Sequence, residues 1–539
     1  MLKTIQTKPY TDQKMGTAGL RKKSKVAMQE NYVENFVQSI FDAIGGVKGQ
    51  TFILGGDGRF YNKVAIQKIM KMAAANGMKK MIVGQNGYLS TPTSSKVLLK
   101  NKANGGFVLT ASHNPGGENG DFGIKYAVST GGQCPTSLSD KIYENSKNIR
   151  EYKILDTADI DISKIGTQKL GDMEIEVIDS LNDYVEMMQE IFDFDAIRQL
   201  FKNGFTMRFD AMNAVTGPYA LKIFEEILGA SKGTVVHYIP LEDFGGLHPD
   251  PNLIYAKELV DLMYSDNAPD MGAANDGDGD RNMILGKKFF VTPSDSLAIL
   301  TDNYRLIPAY KNGIYGVAKS AATSTAVGRV AKALNIGYYE VPTGWKYFCN
   351  LMDSNRITFC GEESFGTGSS HIREKDGIWA VLFWLNIIAA TSKSIEQITR
   401  EHWQKYGRSY YMRNDYDGLD TEVANKLMAD LETKLPTLSG RIFGNYTVSK
   451  AYPFIYNDPV DSSSTKNGLI VYFTDNSRIV YRLSGTGSSG ATLRVYLERY
   501  ETAKLAEDVQ QMLESLADVS RQIAEITERT GKVKADLLT

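Results

Sequence analysis

A repeated order of short strand, polar loop and helix constrains the fold of this chain more than any other feature of its sequence. The β-forming runs at residues 51–54, 207–210 and 313–317 each lead into a polar loop and then into a helix with one apolar face. Strands that alternate with helices in this way form parallel βαβ units. The sequence therefore predicts an α/β protein with a weak internal repeat of about three units, recognised by element order because residue identity between the units is poor.

The first helix and its start are predicted in more detail. Apolar residues recur three and four positions apart from Val33 to Ile44, which indicates one buried helix face. Asn31 and Glu34 have the spacing of a capping box, in which the two side chains bond free main-chain N–H groups. Two glycines at positions 45–46 then end the helix.

The C-terminal part of the chain, from about residue 410, follows a different pattern. Residues 469–473 and 478–483 flank a turn and predict an antiparallel hairpin. A long amphipathic helix follows, with Leu505 and Ile523 at the two ends of its apolar face. This part is predicted to form a separate α+β domain.

Size and charge exclude several classes of protein. The chain has 539 residues, which corresponds to roughly three to four domains. Its formal net charge of -2 gives no support for nucleic acid or a membrane as a partner. The most apolar run, residues 378–390, is shorter than the ~20 residues that span a bilayer, and we predict a buried core helix there. Three scattered cysteines and a start without an apolar signal segment predict a reducing, cytoplasmic location.

One hydroxyl group is predicted to lie at the carboxyl end of a buried strand. Residues 107–110 are β-forming, and Ser112 follows them in a segment that ends at Pro115 and two glycines. In open α/β sheets, ligand chemistry lies beyond the carboxyl ends of the strands. Ser112 is therefore a candidate nucleophile, and the alternative is a turn residue that bonds its own backbone.

Three carboxylates at alternate positions form the second candidate site. Asp276, Asp278 and Asp280 are separated by glycines, so their oxygens can converge on one point. Such oxygen ligands suit a hard divalent cation such as Mg²⁺. An EF-hand is excluded because Arg281 and Lys287 occupy the positions that need Gly and Glu. A solvated acidic turn is the alternative.

Two further glycine-bounded loops carry polar side chains. Glu362 and Ser364 suit a sugar, because carboxylates accept hydrogen bonds from neighbouring hydroxyls, and a plain surface loop is the alternative. Residues 482–490 combine arginine, hydroxyl groups and glycine, and Arg494 follows them. Main-chain N–H and guanidinium groups together favour an oxyanion such as phosphate, and a Gly/Ser hairpin loop is the alternative.

Together these motifs resemble the α-D-phosphohexomutase superfamily, and within it the glucose-specific phosphoglucomutases. Residues 110–115 resemble the family's phosphoserine loop, 276–281 its metal loop, 361–366 its sugar-binding loop and 482–488 its phosphate-binding loop. Residues 341–346 also match the glucose-specific branch. The motifs stand in the family's order and span nearly the whole chain.

The resemblance implies a fold of four domains. Three would be related α/β domains around mixed sheets, and the fourth a C-terminal α+β domain, with an active-site cleft at their centre. The predicted boundaries give domain I at residues 1–190, domain II at 191–303, domain III at 304–408 and domain IV at 409–539. These domains would carry the phosphoserine, metal, sugar-binding and phosphate-binding loops in that order.

The resemblance also implies a reaction on small-molecule hexose phosphates. Glucose 1-phosphate and glucose 6-phosphate would interconvert through glucose 1,6-bisphosphate, with a phosphorylated Ser112 and with Mg²⁺ as cofactor. The enzyme would be a monomer or weak homodimer with no nucleic acid or membrane partner. The implied catalytic residues are Ser112, His113, Lys375 and Arg21, and the implied metal ligands are Ser112, Asp276, Asp278 and Asp280. The implied substrate-binding residues are Arg281, Thr343, Gly344, Glu362, Ser364 and Lys125, and the implied phosphate-binding residues are Arg482, Ser484, Thr486, Ser488 and Arg494.

Some points stay open at the level of sequence. Either Lys375 or His113 could transfer the proton of the attacking hydroxyl. Ala18 and Ser370 depart from the family pattern, which usually has Ser and Asp there, and both departures concern substrate positioning. Alternative functions are a mutase for mannose or N-acetylglucosamine phosphates, a non-catalytic phosphoprotein, and a serine hydrolase, whose Gly-x-Ser-x-Gly motif is missing around Ser112.

Overall fold

The fold consists of two compact units. The computed structural model describes residues 1–487 and 490–538, and for residues 485–487 it describes the backbone alone. The first unit comprises Met1–Pro293, Asn303–Tyr315 and Gly344–Glu396. The second comprises Ser294–Asp302, Gly316–Thr343 and Gln397–Thr539. The four predicted domain boundaries stay a prediction.

The N-terminal sheet of the first unit has seven strands and is mixed. Its strands, from edge to edge, are Leu20–Lys23, Asp121–Val128, Gly105–Leu109, Thr51–Gly56, Lys80–Tyr88, Met173–Ile178 and Gly166–Leu170. The four strands from Gly105–Leu109 to Met173–Ile178 run parallel, and the others pair antiparallel. Helices Asn62–Ala75 and Thr91–Lys100 connect successive parallel strands, which are the βαβ units predicted for this stretch.

A second sheet of the first unit has five strands. Their order is Val235–Val236, Met207–Asp210, Met271–Asn275, Asn282–Gly286 and Phe289–Val291, the first three parallel and the last two antiparallel. Two antiparallel pairs complete the strands of this unit: Leu2–Gln6 with Glu151–Leu155, and Phe359–Gly361 with Thr367–Ser369.

The helices of the first unit are Ser24–Ala27, Tyr32–Ala43, Asn62–Ala75, Thr91–Lys100, Thr136–Asn148, Ser180–Ile191, Phe194–Lys202, Thr216–Ala220, Lys257–Met263, Trp345–Asp353 and Gly377–Thr391. Helices Pro293–Asp302 and Ile395–Tyr406 begin in the first unit and continue in the second. A π-helical segment, Leu221–Ile227, continues Thr216–Ala220, and short 3₁₀ helices lie at Phe244–Gly246 and Tyr304–Leu306.

The predicted first helix is confirmed, but its predicted capping box is wrong. The helix spans Tyr32–Ala43 and buries nearly all of its side chains. Asn31 before it has φ 61° and makes no side-chain cap. Its Oδ1 instead accepts a hydrogen bond from the Tyr152 hydroxyl at 2.7 Å. Glu34 pairs with the Lys68 ammonium at 2.7 Å, so both capping side chains are engaged by tertiary partners.

The second unit contains an antiparallel sheet of seven strands. Their order is Ile442–Phe443, Tyr446–Asn457, Ser464–Phe473, Arg478–Gly487, Gly490–Glu501, Arg408–Leu419 and Leu537–Leu538. Its helices are Ala326–Leu334, Thr421–Lys434, Leu435–Thr437 (3₁₀), Val509–Ala524 and Ile526–Thr530, and strands Gly316–Ser320 and Gly337–Val341 form a parallel pair.

The predicted hairpin and the predicted C-terminal helix are present, although the helix starts later than predicted. Strands Ser464–Phe473 and Arg478–Gly487 pair antiparallel. The helix begins at Val509 because the Asp508 carboxylate accepts the Gln511 N–H at 3.0 Å and caps it. Leu505 therefore lies outside the helix, where its carbonyl accepts a hydrogen bond from Arg408.

The predicted buried core helix corresponds to Gly377–Thr391, whose side chains are almost all buried. It starts where the Asp376 carboxylate accepts the Trp379 N–H at 3.1 Å. Within the described part of the chain, no single helix has the length and apolar composition needed to cross a membrane. This helix and Ile395–Tyr406 meet that criterion only jointly, with a bend of 85° between them.

Candidate active site

Ser112 lies just beyond the strand Gly105–Leu109, and its hydroxyl is directed at an acidic loop. The residue is 1% exposed, and its φ of 55° lies in the left-handed region that few non-glycine residues adopt. Its N–H donates to Thr110 Oγ1 at 2.7 Å, and its Oγ donates to Asp276 Oδ2 at 2.9 Å. The hydroxyl therefore bonds a carboxylate from a distant loop and not its own backbone.

That acidic loop joins strands Met271–Asn275 and Asn282–Gly286 and buries all three of its carboxylates. Asp276 Oδ1 accepts the main-chain N–H groups of Asp280 and Arg281 at 2.9 and 3.0 Å, which closes the loop. Gly277 approaches the serine loop so closely that a Cβ there would lie 2.4 Å from the Ser112 carbonyl oxygen. Glycine at this position lets the two loops meet.

The three carboxylates fit a divalent cation. Asp276, Asp278 and Asp280 each offer an oxygen, and these oxygens lie within 4.8 Å of one another. The Oδ1 atoms of Asp278 and Asp280 are buried without a hydrogen-bond partner among the described residues. Burial and the two neighbouring carboxylates raise the pKa of Asp276 well above its ordinary value. A bound divalent cation would satisfy the unpaired oxygens and remove this repulsion.

A lysine and a helix N-terminus hold the middle carboxylate of the loop. Lys125 Nζ donates to Asp278 Oδ2 at 2.6 Å and lies 3.5 Å from Asp280 Oδ2. Thr91, the first residue of helix Thr91–Lys100, donates its hydroxyl to the same Asp278 oxygen at 2.6 Å and its N–H to the Asp278 carbonyl at 3.0 Å. Burial opposes ionisation of Asp278, but Lys125 and these hydrogen bonds lower its pKa.

Three further cations surround the loop. Lys375 Nζ lies 3.2 Å from Asp280 Oδ2, and Arg281 Nη1 lies 3.3 Å from Asp250 Oδ1. Arg21 lies on strand Leu20–Lys23, and its Nε is buried without a hydrogen-bond partner among the described residues. Burial lowers the pKa of Arg21, while Asp278 opposes that shift. An unpaired guanidinium N–H in a cationic environment favours an anionic ligand such as phosphate.

His113 follows the serine directly. Its Nδ1 lies 3.4 Å from Ser112 Oγ, and its ring centroid lies 6.2 Å from that of His248. Burial, then Arg281 and Arg21, lower the pKa of His113 well below its ordinary value. The imidazole is therefore neutral at neutral pH.

The predicted sugar-binding loop lies beside the acidic loop. Asn282 N–H donates to the Phe365 carbonyl at 2.9 Å. Glu362 is buried, and its Oε1 accepts the Gly344 N–H at 3.1 Å. Burial raises the pKa of Glu362, although Lys375 opposes that shift. In the first unit, the structure thus brings Glu362 and Gly344 together.

The second unit carries the predicted phosphate-binding residues on two paired strands. Arg482 of strand Arg478–Gly487 is directly opposite Arg494 of strand Gly490–Glu501. Arg482 Nη1 donates to the Tyr496 hydroxyl at 2.9 Å, and Arg494 Nε lies 3.7 Å from Asp415 Oδ2.

Three of the remaining predicted residues, Ser484, Thr343 and Ser364, lie in the described part of the chain. Ser484 is opposite Thr492 in the same strand pair. Thr343 belongs to the second unit, and its N–H donates to Asn467 Oδ1 at 3.3 Å. Ser364 is partly buried in the sugar-binding loop. The Thr486 side chain and Ser488 lie outside the described residues.

Sequence reasoning missed three contributors to this site: Thr91, Asp57 and Arg59. Thr91 binds Asp278, and Arg59 Nη2 donates to the Ser112 carbonyl at 2.7 Å. Thr91 has no distinctive chemistry in the sequence. Asp57 and Arg59 could have been found from the sequence, because they form a charged pair in a glycine-rich turn directly after strand Thr51–Gly56. Ser112 has the same position after strand Gly105–Leu109.

Four family models match the chain in consecutive order. The three described as "Phosphoglucomutase/phosphomannomutase, alpha/beta/alpha domain" I, II and III match residues 12–153, 182–288 and 293–406. The model described as "Phosphoglucomutase-1, C-terminal domain" matches residues 408–536. These matches confirm the predicted fold class of three α/β domains followed by a different C-terminal domain.

Full-length relatives agree with the family models. The chain is 56% identical to a phosphoglucomutase of Rhizobium radiobacter, with 100% of each chain covered. It is 50% identical to a chloroplastic phosphoglucomutase of Arabidopsis thaliana, which covers 100% of this chain and 89% of the relative. The solved open form of pp63/parafusin, a phosphoglucomutase from Paramecium, matches with a TM-score of 0.93 and 46% identity over 100% of this chain and 99% of that one. The chain therefore belongs to the phosphoglucomutase/phosphomannomutase family.

Proposed function

We propose that this chain catalyses the phosphoglucomutase reaction, the interconversion of α-D-glucose 1-phosphate and glucose 6-phosphate. The observation that carries the proposal is the buried Ser112 hydroxyl, 2.9 Å from Asp276 within a cluster of three carboxylates. Relatives named as phosphoglucomutases match at 46–56% identity over the whole chain, which supports glucose as the sugar. The enzyme is then an intramolecular phosphotransferase of the isomerase class.

In this proposal, Ser112 carries the phosphoryl group that is exchanged with the sugar. Asp276, Asp278 and Asp280, together with an oxygen at Ser112, would hold Mg²⁺, which would supply positive charge for the transfer of a phosphoryl group. Arg21 and Arg281 stabilise the remaining phosphate charge. The unpaired Arg21 Nε supports its role, because a guanidinium group binds phosphate oxygens through charge-assisted hydrogen bonds.

The proton of the attacking sugar hydroxyl goes to Lys375 or His113. Both side chains lie at the serine and metal loops: Lys375 Nζ is 3.2 Å from Asp280, and His113 Nδ1 is 3.4 Å from Ser112 Oγ. A neutral imidazole can accept a proton directly, whereas a lysine must first be deprotonated. The lowered pKa of His113 keeps its imidazole neutral but also makes it a weaker base, so Lys375 and His113 both stay candidates.

Glucose 1,6-bisphosphate is the proposed intermediate, since a phosphoryl group given by Ser112 to either monophosphate produces it. Glu362 and Ser364 would bind the sugar hydroxyls. Gly344 donates its N–H to Glu362, Thr343 precedes Gly344 in the chain, and Lys125 supports the site through Asp278. The phosphate that does not react would be bound by Arg482, Ser484, Thr486, Ser488 and Arg494. Monomer or weak homodimer and a cytoplasmic location stay predictions, and a chloroplastic relative shows that location varies in the family.

Mass spectrometry of the intact protein tests the proposal. The purified chain, incubated with glucose 1,6-bisphosphate and Mg²⁺, should gain one phosphate that maps to Ser112, and it should convert glucose 1-phosphate to glucose 6-phosphate. Ser112→Ala should lose both properties and stay folded, because this hydroxyl contributes little to packing. Ser146→Ala is the matched control: Ser146 is also buried, and its hydroxyl donates to the Tyr143 carbonyl within a helix, away from the carboxylate cluster.

Two outcomes would contradict the proposal. One is an active Ser112→Ala protein, and the other is a phosphate on a different residue of the wild-type chain. Assaying mannose 1-phosphate and N-acetylglucosamine 1-phosphate in parallel measures the sugar preference, and a higher kcat/KM for either would assign the chain to another mutase of the same family.

A further inference from the structure

A buried ion pair lies beneath the serine loop. Asp57 and Arg59 follow strand Thr51–Gly56, and both side chains are fully buried. Arg59 Nε donates to Asp57 Oδ2 at 2.8 Å, and the Arg59 N–H donates to Asp57 Oδ1 at 3.1 Å. Gly58 between them has φ 80°, which allows this tight turn. Burying two charges is costly, so a pair retained here calls for a role beyond packing.

The Arg59 guanidinium binds main-chain oxygens at both ends of the serine loop. Nη2 donates to the Ser112 carbonyl at 2.7 Å, and Nη1 donates to the Asp121 carbonyl at 2.9 Å. Nη1 also lies 3.4 Å from the Asn114 carbonyl. The planar fork of arginine thus spans a loop that has no regular secondary structure between Leu109 and Asp121.

Asp57 reaches the other main-chain group of the serine. Its Oδ2 accepts the Thr110 hydroxyl at 2.6 Å, and the Thr110 oxygen in turn accepts the Ser112 N–H at 2.7 Å. Asn62 supports Asp57 from the next helix, with Nδ2 3.2 Å from Asp57 Oδ1. The N–H and the C=O of Ser112 are therefore both bound by one continuous chain of buried hydrogen bonds.

This double attachment accounts for the backbone of Ser112. A non-glycine residue at φ 55° is disfavoured and persists only where its surroundings enforce it. In this conformation the Ser112 Oγ faces Asp276 Oδ2. A serine relaxed to negative φ would turn its hydroxyl away from the acidic loop.

We propose that Arg59, held by Asp57, is a positioning residue that keeps Ser112 in its left-handed conformation so that Oγ faces the carboxylate cluster. This inference rests on the proposed function, since its consequence is a faster phosphoryl transfer at Ser112. Arg59 does not touch the reacting atoms, and it acts only through the main chain of the serine. The guanidinium geometry is essential, because the point charge of a lysine cannot bind the Ser112 and Asp121 carbonyls as a fork.

The test compares Arg59→Lys with the wild-type chain. Arg59→Lys should lower kcat and the rate of Ser112 phosphorylation by glucose 1,6-bisphosphate by about 10²-fold, because a small displacement of a reacting group has an effect of that size. KM for glucose 1-phosphate should stay within about two-fold, because the sugar-binding and phosphate-binding residues are unchanged. A rate loss that only follows the folded fraction, or a phosphorylation rate within about two-fold of wild type, would overturn the inference.

Two further variants separate positioning from folding. Arg478→Lys is the matched control: Arg478 is equally buried and pairs with Glu498 at 2.8 Å, so it should lower Tm without changing the phosphorylation rate of the folded protein. If Arg59→Lys does not fold, Thr110→Val removes the link to the Ser112 N–H at nearly constant volume. Thr110→Val should lose phosphorylation rate and Thr110→Ser should restore it, and equal rates for the two variants would overturn the inference.

Failure of the proposed function can be distinguished from failure of the positioning role of Arg59. A wild-type chain that gains no phosphate on Ser112 contradicts the proposed function and leaves the role of Arg59 to be decided by structure. A crystal structure of Arg59→Lys then still decides the positioning role. Ser112 with negative φ and Oγ away from Asp276 supports it, and an unchanged Ser112 conformation overturns it.

Discussion

At the scale of single residues, the negative charge of the carboxylate cluster is unevenly compensated by nearby cations, and this asymmetry favours a bound metal ion. Lys125 and Thr91 both bond Asp278, whose pKa is lowered despite burial. Among the described residues, the side-chain cation paired with Asp276 is Arg281, whose Nε is 3.9 Å away, and the pKa of Asp276 is raised. The negative charge of Asp278 is thus balanced by Lys125, whereas the negative charge of Asp276, which Ser112 contacts, is not balanced.

Replacing Lys125 tests whether its positive charge and a bound cation stabilise the carboxylate cluster in the same way. In Lys125→Met, buried carboxylates lose their closest cation, which typically costs about 3 kcal/mol or more. Tm measured in EDTA should fall by several degrees, and excess Mg²⁺ should recover most of the loss, because the bound cation replaces the missing charge. Lys63→Met is the control, since Lys63 pairs with Glu242 in a largely exposed ion pair whose loss changes Tm little. Equal losses of Tm with and without Mg²⁺ would contradict the argument.

The sequence predicted those site residues whose functional groups stand close together in one segment of the chain. Asp276, Asp278 and Asp280 repel one another in any local structure, so the sequence alone indicated a cation. The partners of Arg59 and Thr91 could not be predicted, because Ser112 and Asp278 lie 53 and 187 positions away from them in the chain. The capping box failed for the same reason: Tyr152, distant in sequence, occupies the Asn31 side chain.

At the scale of elements, the site is built at the carboxyl ends of neighbouring parallel strands. Strand Thr51–Gly56 leads to Asp57, strand Gly105–Leu109 beside it leads to Ser112, and strand Lys80–Tyr88 leads to Thr91. The alternation of strands and helices was sufficient to predict this edge. The π-helical segment Leu221–Ile227 was not predictable, because its apolar spacing also fits an ordinary α-helix.

The strand pair of the second unit leads to a prediction about phosphate binding. Arg482 and Arg494 are directly opposite, and Asp415, 3.7 Å from Arg494 Nε, offsets part of the positive charge of this pair. A phosphate bound beside the two guanidinium groups would offset the rest. Arg494→Ala should raise KM for glucose 1-phosphate at least about 10-fold and increase escape of glucose 1,6-bisphosphate into solvent, because a charge-assisted hydrogen bond is lost. Steady-state kinetics and a bisphosphate release assay measure these effects.

The control for this prediction comes from the same strand. Arg499 pairs with Glu501 at 2.7 Å, so Arg499→Ala should leave KM and bisphosphate release unchanged. Equal effects of the two substitutions would show that general loss of positive charge, and not an anion-binding position, changes KM.

At the scale of the whole molecule, four family domains are distributed over two compact units. The segment Gly316–Thr343 lies in the second unit with the C-terminal sheet. Buried polar contacts explain this: Arg478 Nη2 donates to the Thr323 carbonyl, and Glu498 accepts the Thr325 N–H at 2.8 Å. Sequence patterns mark elements and repeats, but pairings across more than 150 positions arise only from tertiary packing, and so this grouping was not predictable.

The pH dependence of Glu498 tests whether this buried network stabilises the second unit. Burial would raise the pKa of Glu498, but Arg478, Arg329 and the Thr325 hydrogen bonds lower it from 4.5 to about 2. Because the folded-state pKa is depressed, the stabilisation is fully present above pH 4.5 and is lost as the pH falls towards 2, an effect of about 3 kcal/mol. Arg478, Lys319 and Glu340 complete the buried network around this carboxylate.

Glu498→Gln should therefore lower the Tm of the second unit at pH 7, and the difference from wild type should shrink steadily between pH 4.5 and 2. Calorimetry across this range, with hydrogen exchange on strand Gly490–Glu501 to assign the transition, measures it. Glu501→Gln is the control from the same strand: its ion pair with Arg499 is partly exposed, so its smaller Tm difference should show no comparable loss in this range. If the Glu498→Gln difference stayed constant from pH 7 to 2, the network would stabilise the unit through shape and hydrogen bonding, and the charge of Glu498 would contribute nothing.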